Sequence, residues 1–136
     1  MAKVTTTNYA LVGANPRWAG DFAEGREHNL AGGARVDPTA FSAGSDGRKF
    51  IAAGTPVGRT FAEATANTGF SPAADDTDDE YYLLLHDVTD ALVNPDCELY
   101  RHGSLVYVNL LPGWGSLSAG HKARIRALYE CTNGVD

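Results

Sequence analysis

The side chains best suited to chemistry in this sequence are four histidines, two cysteines and one acidic run. The histidines are His28, His86, His102 and His121; the cysteines are Cys97 and Cys131; the run is Asp75, Asp76, Asp78, Asp79 and Glu80. His86 stands beside Asp87 at the end of an apolar stretch, where a histidine–carboxylate pair for proton transfer is conceivable. It has no activated nucleophile to serve, because the chain lacks a G-x-S-x-G elbow. Gly113-Trp114-Gly115-Ser116 reads as a turn and is far from a phosphate loop, which needs a longer glycine frame ending in Lys-Ser/Thr. No two histidines stand at helical or hairpin metal spacing, and the cysteines match no zinc pattern. The acidic run lacks the alternating ligand positions and the sixth-place glycine of a calcium loop, so a solvated loop is the better reading. It also guards the apolar stretch that follows against aggregation. The expectation is a chain with no catalytic residues, no metal and no cofactor, which is not an enzyme. Its thiols are expected to be free and partly buried, in a protein made in a reducing cytosol. Trp18 and Trp114 are candidates for stacking on a sugar or lying in an interface. No aromatic series runs along a strand, so carbohydrate binding is a minor option; a surface-displayed ligand- or glycan-binding module centred on an exposed-loop Trp114 is the alternative function.

Composition narrows the classes further. The 136 residues suit one compact domain with an extension, and 43% hydrophobic with 21% charged residues is a globular balance. Fifteen glycines and six prolines favour short elements joined by many turns over a helical bundle. The net charge of −6 argues against nucleic acid, which requires a basic face. No apolar run approaches the roughly 18 residues of a membrane span, and the N-terminus reads as carrying no secretion signal.

The elements that must position these side chains are short. Lys49–Phe61 predicts two small strands around a glycine turn: Phe50 and Ile51 on one side, Val57 and Phe61 on the other, with Gly54 and Pro56 between. Pro56 predicts a strand at a sheet edge, or one beginning just after it. Residues 81–88 (YYLLLHDV) predict a strand buried on both faces. Glu98–Arg101 and Ser104–Leu111 predict a hairpin around His102-Gly103, with Val106, Val108 and Leu110 on one face. Residues 118–130 predict a helix capped by Ser118, with Ile125, Leu128 and Tyr129 as its apolar stripe and Asn133-Gly134 as its stop. Residues 62–80 read as a polar connection. Before the hairpin, Asp21 and Glu24 have capping-box spacing for a single helical turn. Trp18, Phe22 and Phe41 are possible interface anchors, seated either on the chain's own core or on a neighbouring subunit. The Thr-rich start around Val4–Tyr9 favours extended structure without a local partner.

Taken together, the motifs resemble the lambda-like head decoration (capsid cement) proteins of tailed bacteriophages. The likeness covers roughly residues 44–130. It rests on the I-x-x-G-T-x-x-G stretch Ile51–Gly58, on Gly69-Phe70-Ser71-Pro72-Ala73, and on the apolar strand running into Asp87-Val88-Thr89-Asp90-Ala91, followed by a hairpin and a final helix. The resemblance implies a mixed α/β, β-rich fold: a small distorted β-barrel with a C-terminal helix and an extended N-terminal arm. It divides the chain into an arm and loose extension, 1–41, and a decoration domain, 42–136. It implies a homotrimer at the three-fold axes of an expanded head, on the outer surface of the virion, offsetting the pressure of packaged DNA. The arm, Lys3, Val4, Thr5, Thr6, Thr7, Asn8 and Tyr9, would add a strand to the major capsid protein. The segment before the hairpin is longer than a simple arm. Residues 13–41 therefore either extend across the capsid or fold on the barrel.

Overall fold

The computed structural model describes residues 17–20, 34–74 and 78–134. Among the described residues it is a mixed α/β fold of short strands with two α-helices. The strands are β1 Ala34–Arg35, β2 Pro56–Arg59, β3 Ser71–Pro72, β4 Glu80–Leu83, β5 Asp96–Cys97, β6 Leu105–Tyr107 and β7 Glu130–Thr132. The helices are α1 Phe61–Thr65 and α2 Ala119–Leu128. Among the described residues the strands form sheets of two, three and two (β1-β5, β3-β2-β4 and β6-β7) and do not close into a barrel. Isolated bridges join further segments: Ala19 to Val106, Val36 to Phe70, Ile51 to Val88 and Leu84 to Leu99.

The stretch expected to form a hairpin does something else. Gly54 does take a positive φ, 90°, and turns the chain. The two sides of that turn then part: Ile51 bridges to Val88, while β2 becomes the centre of the three-stranded sheet. Pro56 is tolerated there because it is the first residue of the strand, where its missing N–H is least needed, and its carbonyl still accepts from Ala73 N at 3.2 Å. Gly58 allows the close approach, since a Cβ at that position would meet the Glu80 carbonyl oxygen at 2.7 Å. Phe61, assigned to the second strand, instead opens α1. Thr60 and Glu63 form a capping box at that helix, inside the stretch read as a polar connection.

Residues 81–85 are the structural divider. Tyr81, Leu83 and Leu85 enter one core, with Trp18, Tyr100, Val106, Ile125 and Tyr129. Leu84 enters the other, with Val36, Ile51, Val57, Phe70, Val88 and Leu99. The period of two along a strand thus separates two cores, and Leu83, Leu84 and Leu85 are all fully buried. This is the doubly buried strand that the apolar run predicted, shorter at its C-terminal end.

The second expected hairpin is also replaced. A tight turn does form at 101–104, but β6 pairs in parallel with β7, Val106 facing Cys131. A parallel pair needs a long crossover, and α2 supplies it. The helix is capped by Ser118, whose side chain accepts from His121 N, as expected. It ends at Leu128, earlier than expected, because Tyr129 becomes extended and buries its hydroxyl. That hydroxyl donates to the Tyr100 carbonyl at 2.6 Å and accepts from Leu83 N at 3.1 Å.

The described parts of 13–41 fold on this body. Trp18 is buried in the first core, edge-on to Tyr100 at 5.4 Å. Its carbonyl accepts from Tyr107 N. Ala34–Arg35 pairs antiparallel with β5, and Phe41 packs half-buried against the second core.

Candidate functional site

The two most specific motif stretches, Ile51–Gly58 and Asp87–Ala91, are laced to each other. Ile51 and Val88 exchange both backbone hydrogen bonds at 2.8 Å, and the Leu84 carbonyl accepts from Gly54 N at 2.6 Å. The motif carboxylates complete the seam. Asp87 Oδ1 accepts from Ala53 N at 2.7 Å, and Asp90 Oδ1 accepts from Lys49 N at 3.2 Å and from Leu92 N at 3.1 Å. An ionised carboxylate on backbone N–H groups is a strong staple. The two aspartates therefore have a positional task.

Past Asp90 the chain makes a tight turn, with Val93 N and Asn94 N both donating to the Asp90 carbonyl. Ala91 N donates to the Lys49 carbonyl, which holds this turn beside Phe50. The result is an apolar trio on two joined segments: Phe50 is 57% exposed, Leu92 58% and Val93 82%. All three lie on segments joined by the Ala91–Lys49 backbone bond, next to the seam. Phe61, also exposed, lies at the start of α1.

His86, His102 and His121 are engaged elsewhere, and His28 lies outside the described residues. His86 faces Glu98, Nε2 to Oε1 3.2 Å, while Asp87 serves Ala53. The adjacent pair read from the sequence is thus divided between two structural contacts. His86, Asp87, Asp96, Cys97 and Glu98 line a cavity of about 240 Å³. No cluster of three or more metal-ligating side chains occurs among the described residues. Burial pushes the Cys97 thiol up to about 12, so its nucleophilic thiolate is scarce at neutral pH. Cys97 and Cys131 are both free thiols. His102 Nε2 donates to the Tyr81 carbonyl and its ring stacks on Tyr82, and His121 Nδ1 meets the Tyr81 hydroxyl at 2.8 Å. In the acidic run, Asp78 accepts from Ala74 N, Asp79 accepts from Phe61 N, and Glu80 pairs with Arg59 at 2.5 Å.

Of the expected contact residues, Trp18 is seated on the chain's own core, one of the two placements open to it, and Phe41 is half-buried. Phe22 and the arm residues Lys3, Val4, Thr5, Thr6, Thr7, Asn8 and Tyr9 lie outside the described residues. Trp114 is half-buried, with Lys122 and Arg126 over its ring. Neither the bonds of Asp90 to Lys49 N and Leu92 N nor the exposure of Phe50, Leu92 and Val93 was read from the sequence. The available signal was Leu92-Val93, two apolar residues just before the turn-forming Asn94-Pro95.

No helix among the described residues is long and apolar enough to cross a membrane. No family model, curated protein or solved structure matches the chain.

Proposed function

We propose that the chain is a structural head decoration protein of a tailed phage. It binds the outer surface of the expanded capsid as trimers at three-fold axes and stabilises the head against internal DNA pressure. The observation that carries this reading is the seam: the two stretches that resemble the decoration family are stapled together and hold Phe50, Leu92 and Val93 out to solvent. The family's distorted barrel, its strand-adding arm and its place on the virion surface are part of the same proposal. Its partners are the major capsid protein and two further copies of the chain, with no nucleic acid or membrane involved. Each arm contact is weak, and three on one trimer raise the effective concentration of the others.

Deleting residues 1–12 tests the arm. The truncated protein is expected to keep its circular dichroism and melting profile and to stop co-sedimenting with expanded heads. Undiminished co-sedimentation would sink the proposal that the arm is the capsid contact.

A further inference from the structure

Helix α2 inverts the charge of the rest of the chain. The sequence totals −6, yet residues 118–129 hold Lys122, Arg124 and Arg126 and no carboxylate. Arg124 is committed internally: Nη2 donates to the Asp78 carbonyl at 3.0 Å, and the guanidinium lies over the Tyr81 ring. Lys122 and Arg126 stand one helical turn apart, so they share a face, and both turn to Trp114. Their charged groups lie 5.6 and 5.1 Å from the indole centroid. Neither forms an ion pair with a carboxylate among the described residues. A π-face orients a cation but is no counterion, so among the described residues no carboxylate balances either charge.

We infer that Trp114, Lys122 and Arg126 form a docking surface for an acidic segment of a partner protein. Charge complementarity selects the occupant. A carboxylate-rich segment is repelled by acidic surface and attracted to this face, which guides where it lands. Trp and Arg are the residue types that most often dominate interface energy, and here the indole is pre-positioned by its packing on the first core. A sugar is the weaker candidate, because the two cations lie over the ring on which it would stack. The inference stands on α2 and Trp114 alone and does not depend on capsid binding.

The test uses the full chain and poly-L-glutamate, followed by calorimetry and tryptophan fluorescence, with heparin as the sulfated-saccharide control. Binding of poly-L-glutamate at low salt is expected, weakened about tenfold or more when ionic strength shrinks the Debye length to roughly 5 Å. Both K122Q/R126Q and K122E/R126E are expected to stay folded and to melt within about 10 °C of wild type, since they lose only the contacts to Trp114 and a cation in the last helical turn. The first should lose about tenfold in affinity and the second more. Failure of poly-L-glutamate to bind, or equal binding by both folded double variants, would overturn the proposal. Binding of heparin without poly-L-glutamate would overturn it in favour of an acidic saccharide. Salt-sensitive self-association abolished by the same substitutions would overturn it in favour of a second copy of the chain.

Discussion

Replacing Asp87 tests whether the motif carboxylates are staples. Its Oδ1 accepts from Ala53 N at 2.7 Å, across the junction between Ile51–Gly58 and the segment after β4. Asp87→Ala removes a charge-assisted bond and leaves the half-buried Ala53 N–H without that acceptor. A fully buried bond of this kind is worth about 1.5–3 kcal/mol; partial exposure lowers the expected loss to about 1–2 kcal/mol. For a domain of this size that corresponds to a fall of roughly 3–10 °C in melting temperature. Asp87→Asn retains a carbonyl acceptor and is expected to lose about half as much. Asp90→Ala releases Lys49 N and Leu92 N together and should cost a similar amount. Both aspartates hold one seam, so the double variant should lose less than the sum of the two. Thermal melts give the energies, and amide exchange gives the location: Ala53 N–H should lose protection in Asp87→Ala while Tyr100 N–H keeps it. Unchanged melting in Asp87→Ala, or equal losses in Asp87→Ala and Asp87→Asn, would refute the staple.

Tyr129→Phe strips a buried hydroxyl from both Leu83 N and the Tyr100 carbonyl, and should destabilise by about 2–4 kcal/mol in urea titrations, more than any single surface change. The Cys97 thiol rises from 9.0 to about 12 through burial. Its contribution is therefore whole below about pH 9 and is lost as pH rises toward about 12, a decline that Cys97→Ser should flatten in melts recorded across that range. The triple substitution F50S/L92S/V93S should change stability by no more than about 0.5 kcal/mol per site, since all three side chains are exposed, yet weaken head binding about tenfold or more. Wild-type head binding by that variant would detach the apolar trio from function.

Local signals were legible where local chemistry decides the outcome. Ser118 caps a helix, Gly54 turns the chain with a positive φ, and the apolar run at Tyr81 becomes a strand buried on both faces. Pairing was not legible. Nothing near Ile51 says that its partner is Val88, or near Val106 that its partner is Cys131. Those choices are made by non-local packing, and each strand is too short to carry its own register. The end of α2 was misplaced for the same reason: Tyr129 fits the helical stripe but leaves the helix to reach Leu83 and Tyr100. The sequence offered His86 and Asp87 as neighbours, yet one turns to Glu98 and the other to Ala53, because both lie past the end of β4, where the chain bends and alternation along a strand no longer sets their directions. The apolar trio depends on a contact between distant segments, so only the fold brings Phe50 beside Leu92 and Val93.

Binding stoichiometry on expanded, DNA-free heads lacking this chain tests the proposed function most directly. Heads would be titrated with the purified protein, the bound copies counted, and heat resistance measured at saturation. Saturation is expected at three copies per three-fold site, with heads that withstand higher temperature. Heads that take up none of the protein, or that bind it without any gain in heat resistance, would contradict it.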